Sequence, residues 1–416
     1  MNTLEGRRDR GIDGLRVVAL AGVVVGHWLV TALVLGPDGA LTQDSPLRTV
    51  PALVPASWLL QTLGLFFFVA GFAASRSWTA VRTAGGTYGR WLTARLGRLG
   101  RPVAAFVAVW AFALAVALVA GAPDATLETV VVLVISPLWF LAVLIGLCVA
   151  TAPVGRAVRR FGPLAALPLA AVVAVADAGW GQASVTLLAA WTVPYLLGVA
   201  LAEGRLGRRS GRMLALGGTA TLVVLLALGD YPTAAVGVPG AGGSNLNPPT
   251  LPTVALAAAQ SGLAVLCGPK LDRLLGRPGR WRPVAAVNRM ALPVFLAHQS
   301  SLIMVTVTLT WLSWGTPLPG LHTTPGDAGW LVTRVAWLPV FVAGLLLLVA
   351  LFPTRARGPN LTQYPAGERD RHGWTRLLIG TSAAAPPHHH QRRPGHASPA
   401  PRHTYCCPPQ RSSSPP

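Results

Sequence analysis

Apolar residues fall along this chain in long runs, not in strand-like alternation. A helix needs about 20 apolar residues to cross about 30 Å of hydrocarbon. Ten runs bounded by charge or by Gly/Pro clusters approach or reach that length. They lie near residues 15–35, 53–75, 102–121, 128–152, 163–178, 183–202, 213–229, 251–268, 289–312 and 330–352. The fifth is short, contains Pro168 and ends at Asp177, while the fourth carries Pro137, a residue that can kink or split a helix. The pattern predicts an all-α integral membrane protein of about ten transmembrane helices.

Charge then orients the spans. Short connections on the cytoplasmic side keep Lys and Arg, whereas outer connections lack them. Arg7, Arg8 and Arg10 precede the first run, and Arg76 to Arg101, Arg156 to Arg160, Arg205 to Arg212 and Lys270 to Arg289 follow runs two, four, six and eight. The alternate connections hold Arg48 among Asp38, Asp44, Asp124, Asp177, Asp230 and Asp327. This alternation predicts an even number of spans in the cell membrane, with both termini in the cytoplasm. The stretch from Leu15 to Leu35 is longer than a signal-peptide core and contains a histidine, so it reads as a span.

Composition agrees. Of 416 residues, 52% are hydrophobic and 12% charged, and the mean hydropathy is +0.52, outside the range of a soluble domain of this size. A net charge of +20 would suggest nucleic acid in a soluble chain. Here the basic residues sit between spans, so lipid headgroups are the expected partner and nucleic acid is not. Cys148, Cys267, Cys406 and Cys407 have neither disulfide-framework nor zinc-site spacing, so no metal site is expected. Beyond Phe352 the chain turns to Pro, Ser, His and Arg, including His388 to His390, and predicts a disordered tail. The expected organisation is a cytoplasmic segment 1–14, a helical membrane domain 15–353 and a tail 354–416.

Ionisable groups inside a membrane are costly, which makes those that persist there candidates for function. His27 lies in the first run, eleven residues after Arg16. At about 100° per residue the two share a helix face, about 16 Å apart along the axis. Arg16 would sit at the cytoplasmic rim and His27 in the same groove near mid-membrane. An imidazole shielded from water is neutral and can accept a proton from a hydroxyl. The same histidine also fits a structural part, a hydrogen bond that pins one helix to the next.

Several segments, in order, resemble the acyltransferase type 3 family of bacterial multi-pass membrane O-acyltransferases. Arg16, ten residues and His27 match its opening signature. Phe66-Phe67-Phe68-Val69-Ala70-Gly71-Phe72 resembles its paired phenylalanines before Ser-Gly, with Ala70 in place of serine. Arg95, Arg98 and Arg101 match its basic stretch before the third span, Leu138-Trp139-Phe140-Leu141 its Trp-Phe element, and Leu296-Ala297-His298-Gln299 its late histidine. The resemblance covers about residues 10 to 352. It implies an acyl-CoA donor, usually acetyl-CoA, and as acceptor a hydroxyl on a glycan, lipid-linked glycan or glycosylated metabolite, with no permanently bound cofactor.

Beside that resemblance, Arg95, Arg98 and Arg101 recur every three residues along a helical side, where guanidinium forks can clasp the phosphates of coenzyme A. The same three fit positive-inside anchors on headgroups. His298 and Gln299 fit acceptor orientation, oxyanion stabilisation or a helix-to-helix bond. Trp139 fits a substrate platform or plain packing. Gly71 fits close helix contact, and the long outer connection from Asp230 through Pro249 fits an acceptor vestibule or a surface loop. The combined expectation is direct acyl transfer with His27 as base and Arg16 beside it. The competing function is a transporter or flippase moving a lipid-linked or small hydrophobic solute by alternating access.

Overall fold

The computed structural model describes residues 9–351. The chain divides into two units, Met1–Leu378 and Ile379–Pro416, and the described residues all belong to the first. The expected tail, its His388 to His390 run and its Cys406-Cys407 pair lie outside the described residues, as do Arg7 and Arg8.

Among the described residues, ten helical segments are long and apolar enough to cross a membrane. Each expected run has its counterpart. The helices are α1 (Arg10–Val30), α2 (Val54–Leu60), α3 (Leu63–Thr83), α4 (Tyr88–Val119), α5 (Asp124–Val149), α6 (Thr151–Phe161), α7 (Leu167–Val175), α8 (Ala183–Ala202), α9 (Arg208–Leu228), α10 (Leu251–Leu274), α11 (Pro278–Arg289), α12 (Ala291–Leu312) and α13 (Ala328–Leu351). The helices α1, α3, α5, α8, α10 and α12 carry most of the buried positions, while α4, α7 and α9 lie at the periphery. Peripheral helices present bare apolar side chains, such as Val109, Phe112 and Val119 on α4 and Leu216, Val223 and Leu228 on α9. A soluble surface seldom carries so much exposed apolar area, whereas a lipid-facing one requires it.

The structure moves several boundaries. The first helix begins at Arg10 and ends at Val30, so Ala32–Leu35 is not helical; it forms β1 and pairs antiparallel with β2, Leu41–Asp44. The cause is the intervening Gly36-Pro37-Asp38-Gly39, a turn in which the Asp38 carboxylate accepts from Ala40 N at 3.1 Å and Gly39 adopts φ +76°. The third span begins at Tyr88, so the basic stretch is part of α4 and not a connection before it. The fifth is α7 flanked by a 3-10 turn, Gly162–Ala166, and a π turn, Ala176–Trp180. Pro168 falls at the start of α7, where its missing N–H is not needed. Asp177 accepts from the Tyr231 hydroxyl at 2.9 Å and from Leu251 N at 2.8 Å, so it caps α10. Pro137 stays within a continuous α5.

The tightest helix contact joins α3 to α8. A Cβ added at Gly71 would lie 2.0 Å from Tyr195 O, and one added at Gly198 would lie 1.9 Å from Phe68 O. Each glycine admits the other helix's backbone, the close approach through which small residues stabilise helix pairs in lipid. Any side chain at either position forces α3 and α8 apart. Gly71→Ala and Gly198→Ala should each destabilise the purified protein by about 1–3 kcal/mol, read as a lower melting temperature in detergent; an unchanged melt would show that the contact is not limiting.

Candidate active site

Two side-chain bonds set α1 against the α11–α12 segment. Arg16 Nη1 donates to Asn288 Oδ1 at 3.3 Å, and the Gln299 amide donates to His27 Nδ1 at 3.1 Å. Both pairs are separated by 272 positions. Equal offsets at two points mean that α1 runs parallel to this segment and in one register with it. The eleven-residue spacing from Arg16 to His27 is thus repeated from Asn288 to Gln299. Arg16 and His27 do share a face, and it is the face turned toward α11 and α12. Arg16 also bridges Asp13 at 3.3 Å, and Asn288 donates to Asp13 O at 2.9 Å. Arg16 therefore belongs to a polar knot at the start of α1, about 16 Å along the helix from His27.

His27 and His298 form a pair, with ring centroids 5.1 Å apart at 48°. His27 is half-buried and His298 wholly buried. Hydrogen-bond chemistry assigns the protons. A carbonyl oxygen only accepts, so His298 Nδ1 carries hydrogen and donates to Phe295 O at 2.6 Å. Its Nε2 then holds a lone pair, and that atom is buried with no hydrogen-bond partner. An amide nitrogen only donates, so His27 Nδ1 is an acceptor and its Nε2 carries the hydrogen. Gln299 Oε1 is a second buried acceptor without a partner. Leaving such a group unsatisfied costs about 1–3 kcal/mol, which a donor from water or from a ligand would offset.

Aromatic rings wall the pair on one side. Phe295 lies 5.8 Å from the His298 ring and 4.9 Å from Phe140, and Phe140 in turn meets Phe66 at 4.8 Å and Phe67 at 4.6 Å. The phenylalanine run on α3 and the Trp-Phe element on α5 thus meet beside α12. Trp139 is half-buried and packs against Phe140 and Trp191 at 6.2 and 6.3 Å. It is joined to the histidines only through Phe140 and Phe295.

The three arginines of α4 do not share one side. Steps of three residues advance about 300°, so each arginine falls about 60° from the last. Arg95 turns inward, donating from Nε to Cys148 Sγ at 3.2 Å and lying over the Trp91 ring at 5.6 Å. Arg98 and Arg101 are exposed. The long connection from Asp230 is folded around the buried Asn245, whose amide donates to Pro232 O and Ala234 O at 2.5 and 2.9 Å. With Arg48 it lines an open cleft of about 420 Å³. A second cleft of about 400 Å³ lies between Pro168 and Thr186. Neither cleft includes His27 or His298.

One residue of this region was not singled out from the sequence. Arg334 on α13 is fully buried. Its Nε donates to Trp28 O at 2.7 Å, its Nη1 to Gly320 O at 3.2 Å and its Nη2 to Thr31 O. Phe341 and Trp330 rings face the guanidinium at 4.7 and 5.5 Å. Two of these carbonyls belong to the end of α1, where the helix dipole is negative and its last carbonyls lack helical donors. Arg334 therefore closes the helix turn that carries His27, and Trp28 Nε1 adds a bond to His298 O at 2.9 Å. The signal was present: an arginine four residues past Trp330, inside an apolar run.

A family model described as an acyltransferase domain matches residues 9–352 of the chain. Comparisons with curated proteins and with solved structures return no match.

Replacing Arg334 by methionine removes three carbonyl bonds at once. Arg334→Met should lower the melting temperature, and any surviving folded protein should bind ligands at the histidine pair less well; a melt and an affinity equal to wild type would remove Arg334 from the support of His27.

Proposed function

The chain belongs to the acyltransferase type 3 family, and from that premise we propose that it moves an acyl group from acyl-CoA to a hydroxyl at the His27–His298 pair. Acetyl-CoA is the foremost donor. The acceptor is a hydroxyl of a glycan, a lipid-linked glycan or a glycosylated metabolite, which makes the enzyme an O-acyltransferase. The observation that carries this reading is the pair itself, two imidazoles 5.1 Å apart whose bonds leave one lone pair and one N–H uncommitted to the protein. A histidine base takes the hydroxyl proton, the oxygen attacks the thioester carbonyl and coenzyme A leaves as the thiol. Membership in an acyltransferase family supports transfer over solute transport.

The basic connections support a plasma-membrane protein with both termini in the cytoplasm. In that orientation Arg16 and the exposed Arg98 and Arg101 face the compartment that holds acyl-CoA, where they are suited to its phosphates. The long pantetheine arm of the donor would bridge the distance from that rim to the histidines. Arg95, held by Cys148 and Ser77, is better suited to fixing α4 than to meeting the donor. His298 and Gln299 are suited to meeting the acceptor, with Trp139 behind the aromatic wall beside them.

Purified protein given radiolabelled acetyl-CoA and extracted envelope glycans should transfer label and release CoA, whereas solute flux without either would overturn the reading. His27→Ala should lower turnover by about 10²- to 10⁴-fold in protein that still folds; undiminished turnover would remove His27 from the chemistry. For the topology, a membrane-impermeant maleimide on intact cells should label Asn247→Cys and leave Arg209→Cys unlabelled, and the reverse pattern would invert the orientation.

A further inference from the structure

We infer that the two histidines divide the chemistry. His298 is the base, through Nε2, and His27 is the oxyanion donor, through Nε2–H, with Gln299 fixing the His27 tautomer. The inference rests on the acyl-transfer reading and reverses the role that sequence spacing suggests for His27.

The argument begins with which ring nitrogens are committed. His298 Nδ1 is bound to Phe295 O, one turn back on its own helix, so its proton cannot move to that nitrogen's far side without breaking the bond. Its Nε2 is an acceptor that nothing in the protein satisfies, although the ring is wholly buried. A hydroxyl proton is the complement of such an atom. His27 is the opposite case. Its Nδ1 lone pair is taken by the Gln299 amide, so the base function is blocked there, and the hydrogen resides on Nε2. Neutral imidazole with N–H presented to a forming oxyanion is an effective electrophile. The Gln299 amide oxygen, the other unsatisfied acceptor, belongs to the residue next to His298 and suits a second hydroxyl of a polyhydroxylated acceptor.

The step balances. The acceptor O–H bond breaks as its proton passes to His298 Nε2, and the oxygen forms a bond to the thioester carbon. The carbonyl π pair moves onto oxygen, where His27 Nε2–H donates to it. The pair returns, the C–S bond breaks, and the leaving thiolate takes the proton from His298. Ester and free CoA result, and both histidines regain their starting tautomers. His27 is the more exposed residue of the two.

Two variants test the division. In His298→Asn the side-chain amide nitrogen stands where Nδ1 stood, so the bond to Phe295 O persists while the Nε2 lone pair is lost. Its kcat for acetyl transfer should fall by about 10²- to 10⁴-fold, with the KM for acetyl-CoA within about twofold of wild type. Gln299→Glu replaces the amide donor with acceptors only, which forces hydrogen onto His27 Nδ1 and strips it from Nε2. Its kcat should also fall, by about 10²- to 10³-fold. If His27 were the base, that carboxylate would instead orient it correctly and sustain the rate. A wild-type kcat in His298→Asn, or a sustained or raised kcat in Gln299→Glu, overturns the division. Should His298→Asn fail to fold in a detergent melt, Gln299→Glu decides the question with His298 intact. Absence of transfer by the wild-type protein would overturn the acyl-transfer reading, whereas transfer by wild type with undiminished His298→Asn overturns only this assignment.

Discussion

A polar group inside an apolar bundle has no water to turn to, so its partner must come from the chain itself. The helix α1 shows how much follows from that constraint. Asn288 meets Arg16 near its start, Thr62 donates to Ala19 O at 2.7 Å midway, Gln299 meets His27, and Arg334 takes the carbonyls at its end. These partners come from α11, the α2–α3 junction, α12 and α13 respectively. Because each lies on a different element, α1 is fixed along its whole length, and the depth and rotation of His27 are fixed with it.

Against that background, unsatisfied atoms carry meaning. His298 Nε2 and Gln299 Oε1 belong to consecutive residues of α12, one whose ring lies 5.1 Å from the His27 ring and one whose amide is bonded to His27. A bundle that supplies donors to the end of α1 from as far away as α13 leaves these two neighbouring residues each with an acceptor that has no donor. Packing reinforces this arrangement. The glycines Gly71 and Gly198 let α3 and α8 meet backbone to backbone, which brings Phe67 within 5.0 Å of Trp191. The Phe66, Phe67, Phe140 and Phe295 rings then form a continuous wall that ends on His298. Small residues on one face and large rings on the next thus serve one end, a rigid side to the histidine pair.

The separation of the arginines from the histidine pair follows from the same geometry. Arg16 is tied into a polar knot with Asp13 and Asn288, a full eleven residues from His27. Arg98 and Arg101 are free of the core, while Arg95 is drawn inward to Cys148. A helical stretch with arginines every third residue fans them around the axis, so one turns to the protein and others remain outside.

The linear pattern determined the helix count, because apolar length against bilayer thickness is a one-dimensional comparison that each segment passes by itself. It also determined that Arg16 and His27 share a face, since helical rotation depends only on spacing within one element. The β1–β2 hairpin was legible in principle from Pro37-Asp38-Gly39, but the apolar run ahead of the turn masked it. Tertiary structure alone decided that His298 stands against His27, that Gln299 holds one nitrogen and Phe295 O another, and that Arg334 closes α1. Apart from the Phe295 bond, which is local to α12, those facts are distances between elements far apart in the chain, set by the packing of all their neighbours at once, and no periodicity within a single helix encodes them.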